Sequence, residues 1–202
     1  SLNEYLSLGV VSSPNTIFKN FYKLPPGEYL ELNLNDYSFK KRIYWNIENF
    51  IGNNKFKYDD FISLFQNSVN IRLESDVPVS AFLSGGIDST SIIKSINQKN
   101  INTFSMIFDN PKYNEEKWSN QVSETYNTNH QSKLLSGDIS LDSLLEVIDI
   151  LDEPYSDISL IPTYFLSKLI SEKFKVALSG DGGDELLFGY DHSNKSLKLN
   201  SN

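Results

Sequence analysis

With 202 residues, 39% of them apolar and 13% aromatic, the chain can build one α/β domain and a smaller appendage, which excludes disorder over most of its length. The 18 basic and 26 acidic residues leave a net charge of -8, which repels nucleic-acid backbones rather than steering toward them. Cysteine is absent, so structural disulfides, thiolate zinc sites and a cysteine nucleophile are excluded.

The first fifty or so residues read as β structure, because turn signals at Ser13-Pro14-Asn15 and Pro25-Pro26-Gly27 separate short apolar stretches. Glu28 to Leu34 alternates apolar and polar residues and can pair with Phe39 to Trp45 across an Asn35-Asp36 turn, which predicts a small hairpin. Ile47 to Lys57 holds Gly52-Asn53-Asn54 and no period, and is read as a linker between residues 1–50 and a domain over 55–190. Asp59 or Asp60 is placed as the cap of a helix with Phe61, Leu64, Phe65, Ser68 and Ile71 on one face, ending near Glu74.

From there strands and helices alternate. Val77 to Leu83 is a short apolar strand running into Ser84-Gly85-Gly86-Ile87-Asp88-Ser89-Thr90 and a helix to about Asn97. Thr103 to Phe108 is a second strand, Glu115 to Tyr126 a helix, and His130 to Leu135 a third strand. Leu141 to Leu151 and Leu160 to Lys173 have helical spacing. Phe174 to Leu178 is a last strand before Ser179-Gly180-Asp181-Gly182-Gly183-Asp184-Glu185, and residues 191–202 form a polar tail. This alternation predicts the α/β class, a parallel sheet with helices on both faces, preceded by a small β segment. No apolar run approaches the roughly 20 residues of a membrane span, and no secretion signal opens the chain, so the expected location is the cytoplasm.

Ligands of open parallel sheets bind beyond the carboxyl ends of the strands, where loops lead into helix N-termini, and both glycine loops fall there. Ser84-Gly85-Gly86 lets backbone N–H groups approach an anion closely, with the positive end of the next helix behind them. The loop holds no lysine and so departs from the Gly-x-x-x-x-Gly-Lys-Ser/Thr pattern that grips β- and γ-phosphates. Asp88 cannot bind phosphate directly but can hold a magnesium ion lying between the two anions. In the second loop Gly180, Gly182 and Gly183 permit close approach, and Asp181, Asp184 and Glu185 suit cations or an amine. Three acids within seven residues are destabilising unless a cation neutralises them.

At these residues a resemblance appears. Ser84 to Ser89 resembles the pyrophosphate-binding loop of the N-type ATP pyrophosphatases, the PP-loop superfamily with its adenine nucleotide alpha hydrolase-like fold. Ser179 to Glu185 resembles the second signature of the glutamine-hydrolysing asparagine synthetases. Asp76-Val77-Pro78-Val79, Thr103-Phe104-Ser105, Tyr113-Asn114-Glu115, Asp152-Glu153-Pro154, Ile161-Pro162-Thr163 and Phe188-Gly189-Tyr190 resemble that family in the same order. Ser13 to Phe18 and Leu24 to Gly27 resemble the stretch closing the family's glutaminase domain, so residues 1–50 are read as the remnant of that domain.

The resemblance implies an ATP-dependent ligase: a carboxylate, typically the β-carboxylate of aspartate, is adenylated, and ammonia drawn from glutamine then displaces AMP. It implies that Leu83, Ser84, Gly85, Gly86, Asp88, Ser89, Ile107, Ser179, Gly180 and Asp184 contact ATP, with Ile107 facing the adenine. Asp88 and Asp184 are then the magnesium ligands, and Asp181 or Glu185 the groups that orient the ammonia or amino acid. A homodimer is compatible with it, and no membrane or nucleic-acid partner is expected. Three alternatives stay open: a sister amidotransferase or cyclase adenylating another carboxylate in surface-sugar or peptide biosynthesis, a tRNA-modifying pyrophosphatase, disfavoured by the charge and the missing cysteine, and a non-catalytic fragment.

Other residues read more plainly. His130 is weighed as a satisfied histidine over a catalytic one, and Trp45 and Trp118 as packing rather than ligand stacking. Asp152-Glu153-Pro154 is either a helix stop with two exposed acids or part of the substrate pocket. Relative to the family, the chain lacks the N-terminal cysteine and the further helices after Gly189-Tyr190, and so reads as truncated at both ends. Ile158 stands where proline is usual, which puts the local turn in question.

Overall fold

In a computed structural model, residues 1–52, 55–96, 100–137 and 139–190 are described. The expected polar tail with His192, Asn53-Asn54 of the linker and the expected helix end at Asn97 lie outside them. The chain forms two compact units. One comprises Ser1–Phe56 with Leu141–Leu160; the other comprises Lys57–Ser140 with the residues from Ile161 on.

The first unit opens with a helix, α1 (Leu2–Leu8), where β structure was expected. Leu2, Tyr5 and Leu6 carry helical spacing, and Gly9, at φ 77°, stops the helix in the left-handed conformation while its amide bonds the Tyr5 carbonyl at 2.8 Å. The hairpin is present as β1 (Glu28–Leu32) and β2 (Phe39–Ile43), antiparallel, with Glu28 opposite Ile43 and Leu32 opposite Phe39. Its loop is closed by the Asn33 amide on the Ser38 carbonyl and the Tyr37 amide on the Asn33 carbonyl, both at 2.8 Å. A short 3-10 turn, Ile47–Phe50, follows.

Helix α5 (Leu141–Asp149) belongs to this unit, and the residues after it are tied to the N-terminal segment. The Ser156 amide donates to the Gly9 carbonyl at 3.0 Å. Glu153 forms an ion pair with Lys23, whose Nζ also donates to the Val11 carbonyl at 2.7 Å. Glu153 is therefore not one of two exposed acids at a helix stop: its pairing with Lys23 draws it into the unit, while Asp152 stays exposed.

The second unit is built on four strands, β3 (Val79–Phe82), β4 (Asn102–Phe108), β5 (Asn129–Leu135) and β6 (Val176–Leu178), all parallel, in the order β5-β4-β3-β6. Alternation along the strands sorts their side chains between two cores. Ala81, Leu83 and Ile101 face one side, where they pack with Ile93 of α3 (Ile87–Ser95) and Val122 of α4 (Glu116–Tyr126). Phe82, Phe104, Met106 and Ala177 face the other, against Leu166, Leu169 and Ile170 of α6 (Leu160–Ser171). Both faces are thus covered, as the sequence predicts. Buried Phe104 meets Phe174 edge to face at 5.6 Å between centroids, a contact of about 1 kcal/mol beyond area burial.

Helix α2 (Tyr58–Ile71) ends three residues before Glu74 and differs from expectation in two further details. Lys57 holds the N-cap position and makes no side-chain capping bond; Asp59 and Asp60 lie in the first turn, where their charge meets the positive end of the helix instead. The inward face is also rotated. Val69 is buried while Leu64 and Ile71 are 69% and 56% exposed, and the Asn70 Nδ2 bond to the Ser95 carbonyl at 2.8 Å fixes that rotation.

Candidate functional site

The strand order decides where a site can form. From β3 the chain proceeds outward through α3 to β4 and through α4 to β5, then returns on the other side of β3 as β6. Right-handed crossovers put α3 and α4 on one face and α6 on the other. The connections therefore part company between β3 and β6, and a crevice at the carboxyl ends of such a pair is where open α/β sheets take ligands. Both glycine loops leave the sheet there, on neighbouring strands paired Val79 to Val176 and Ala81 to Leu178.

The first loop is shaped by its own hydroxyls. Ser84 Oγ accepts the Gly86 amide at 3.2 Å and lies 3.1 Å from Ser89 Oγ, which in turn donates to the Gly86 carbonyl at 3.3 Å. Ser89 is buried, and the Leu83 amide is tied to the Phe104 carbonyl at 2.8 Å, so both ends of the loop are anchored. Gly86 is the N-cap of α3 and offers no side chain to the first turn. The amides of Ile87, Asp88 and Ser89 therefore have no intrahelical acceptor and suit an anion. Gly85 adopts φ +85°, and a β-carbon there would lie 2.5 Å from Trp118 Cβ and 2.7 Å from the Ser119 amide nitrogen. The loop is thus pressed onto the first turn of α4.

The second loop touches the first through Asp88. A β-carbon on Gly180 would stand 3.0 Å from Asp88 Cβ, and one on Gly183 would stand 2.7 Å from Asp88 Cγ. Only glycine backbone lets the Asp88 carboxylate lie this close to the second loop. The five-residue helix α7 (Gly183–Leu187) follows, with Gly182 at φ 92° as its N-cap. Ser179 Oγ donates to Asp181 Oδ2 at 2.8 Å, and the Tyr190 hydroxyl donates to Glu185 Oε1 at 2.7 Å. That hydroxyl holds the Glu185 carboxyl below the usual carboxylate range. The Asp184 carboxylate lies against the backbone of Gly189. Ile107 lies near the carboxyl end of β4, on the same face as Leu83.

A divalent cation can be tested against this donor set. The acids are oxygen donors without histidine or cysteine, which suits magnesium over a transition metal. Among the described residues no three metal-ligating side chains cluster. Magnesium commonly takes one or two carboxylates and completes its shell with phosphate oxygens and water, so the residues present fit it when a phosphate is bound.

Sequence reading passed over Ser119, named Tyr190 only within Phe188-Gly189-Tyr190 with no role, and gave Trp118 no part in the loop. For Ser119 a signal exists: Ser119, Val122, Ser123 and Tyr126 form a helical stripe whose small members permit close approach. His130 sits elsewhere. Its ring nitrogens bond Thr103 Oγ1 at 3.0 Å and Ser105 Oγ at 3.2 Å, and burial lowers its pKa. At the questioned turn, Asp157 Oδ1 accepts the Ser159 amide at 2.8 Å and Ile158 is 92% exposed, so the turn closes without proline.

Fold and loops together define an α/β protein with two glycine loops converging at the switch point of a parallel sheet. The asparagine synthase family model matches residues 60–202, and the chain belongs to that family. A putative glutamine-hydrolysing asparagine synthetase 2 of Methanocaldococcus jannaschii is 34% identical over 193 residues, covering 92% of this chain and 37% of that protein. Glutamine-hydrolysing asparagine synthetase 1 of Bacillus subtilis is 30% identical over 202 residues, covering 98% of this chain and 32% of that protein. The chain therefore spans about a third of the length of these relatives.

Proposed function

We propose that this chain supplies the ATP-activating site of an amide-forming ligase. The observation that carries the reading is the meeting of the two glycine loops at the β3/β6 crevice, with Asp88 Cβ against Gly180 and the Asp88 carboxylate against Gly183. The amides of Ile87, Asp88 and Ser89 and the hydroxyls of Ser84 and Ser89 hold phosphate oxygens, so charge developing on departing pyrophosphate meets donors already in place. Ser179 and Gly180 line the opposite wall, and Leu83 and Ile107 offer apolar surface to the adenine. Asp88 and Asp184 hold magnesium, which supplies charge neutralisation on the phosphates. Asp181 and Glu185 orient the incoming amine.

Family membership and the names of the relatives support a carboxylate as the activated group and aspartate as the first candidate, with ammonia from glutamine as the nitrogen donor. Adenylation followed by amide formation gives asparagine, AMP and pyrophosphate. Thermal unfolding tests the nucleotide site: Mg·ATP at a hundredfold excess over its Kd should stabilise the chain by about 2.7 kcal/mol. ATP without magnesium should do markedly less, and melting temperatures equal to that of the ligand-free chain in both conditions refute the site. Pyrophosphate release over a panel of carboxylates, with ammonia supplied, tests the substrate. Turnover with sugar acids but not aspartate would move the assignment to a sister amidotransferase.

A further inference from the structure

Phe188, in the Phe188-Gly189-Tyr190 run, stands at φ 58° as the C-cap of α7, a left-handed conformation that a bulky side chain rarely takes. Strain of this kind persists where the surroundings over-determine it, and here it turns the chain back over α7. The amides of Phe188 and Gly189 both donate to the Asp184 carbonyl, the second at 3.1 Å. What the turn brings to Asp184 is bare backbone. A β-carbon on Gly189 would overlap Asp184 Oδ1 outright and stand 2.9 Å from Asp184 Cγ, and its three nearest atoms all belong to Asp184. Gly189 is exposed and lies outside the left-handed region, so neither packing nor its own dihedrals call for glycine. Asp88 has a matching seat. The atoms nearest a β-carbon on Gly183, also outside the left-handed region, are Cγ, Oδ1 and Oδ2 of Asp88, at 2.7, 2.8 and 3.1 Å.

We propose that Gly189 is a positioning residue for the Asp184 carboxylate: with no side chain at 189, Oδ1 settles against the returning backbone, which fixes the plane of the carboxylate and so the direction in which it meets magnesium. This rests on the reading of Asp184 as a magnesium ligand. Groups that orient a metal ligand act on metal affinity without touching the ion. An alanine at 189 keeps the amide that closes the turn and needs no strained φ, so it displaces the carboxylate and leaves the fold in place.

The full chain is titrated with ATP by calorimetry, once with saturating magnesium and once with EDTA. Gly189→Ala should raise the Kd for Mg·ATP about tenfold, keep the Kd without magnesium within about twofold of the parent, and leave the ligand-free melting temperature nearly unchanged. Asp184→Asn should raise the Mg·ATP Kd at least as far. Adding Gly189→Ala to Asp184→Asn should then cost nothing further, because the glycine acts through that carboxylate. An unchanged Mg·ATP Kd in Gly189→Ala, an equal rise with and without magnesium, or a loss that adds in full to that of Asp184→Asn overturns the inference and leaves the metal reading of Asp184 standing. Absence of ATP binding in the parent, or parental Mg·ATP affinity in Asp184→Asn, overturns that reading and this inference with it. Should Gly189→Ala alone fail to fold, the double variant with Asp184→Ala decides the matter. Recovered folding is the expected result, since the collision is gone; continued loss overturns the inference by making the glycine a requirement of the turn.

Discussion

Gly85 in the first loop and Gly182 in the second share a backbone conformation, φ +85° and φ +92°, but stand in different surroundings. Behind Gly85 lies the backbone of α4; around Gly182 nothing comes within 4 Å of where a β-carbon would be. One loop is a fixed surface wedged between strand and helix. The other is a half-buried turn with free space around Gly182, in which single hydroxyls hold two of the acids, Ser179 on Asp181 and Tyr190 on Glu185. The difference separates two kinds of work: a rigid cradle for an anion that arrives in one geometry, and adjustable acids for cationic or amine groups.

The sharpest way to break this comparison is alanine at both glycines. Gly182→Ala carries only the left-handed penalty, about 1 kcal/mol. Gly85→Ala adds a collision with helix backbone that cannot yield as a side-chain end can, for a total of about 3 kcal/mol or more. Urea unfolding midpoints measure both. Equal losses would show that α4 gives way and that the first loop is no more rigid than the second.

The next effect in size concerns the acid that joins the loops. Asp88→Asn keeps the shape that fits against Gly180 and Gly183 but removes the charge, and should abolish most of the magnesium-dependent part of ATP stabilisation, about 2 kcal/mol near saturation. Asp181→Asn, in the adjustable loop, should leave that stabilisation in place and lower amide formation instead. Matching losses in the two variants would mean that the acids of both loops serve the metal.

Strands, helices and both loops were legible because their signals are local: apolar runs, period changes, and glycines directly after strands. The failures come from contacts between distant residues. Gly85 meets Trp118 and Asp88 meets Gly183, and nothing within either segment announces its partner. The rotated face of α2 has the same origin, since Leu64 and Ile71 fit an apolar stripe as well as Val69 does until Asn70 bonds Ser95. Glu153 read equally as an exposed acid or a pocket residue, because Lys23 lies far behind it in the chain. Helix α1 is the exception: its Leu2-Tyr5-Leu6 spacing and terminal Gly9 were there to be read.

A pH effect belonging to neither loop must be subtracted before the second loop's acids can be compared with the first. Burial lowers the pKa of His130, between Thr103 and Ser105, below its ordinary value of 6.5. The unfolded chain therefore takes up the proton first as pH falls, so stability declines from about pH 6.5 downward through the lower folded value. His130→Gln should flatten that part of the stability–pH curve. An unchanged slope would place its origin in the carboxylates.

The smallest effect isolates one hydroxyl of the second loop. Tyr190 holds Glu185 below the usual carboxylate range, so the folded form favours the charged carboxylate, and the associated stability is present above the ordinary pKa and lost as pH falls through the lowered one. Glu185 is fully exposed, and water screens most of this. Tyr190→Phe should therefore return the Glu185 pKa toward its ordinary value, read from the side-chain carboxyl resonance in a pH titration, with no measurable change in melting temperature at neutral pH. A clear loss of stability would mean that Tyr190 braces the second loop as the first turn of α4 braces the first, and the contrast between a fixed loop and an adjustable one would no longer hold.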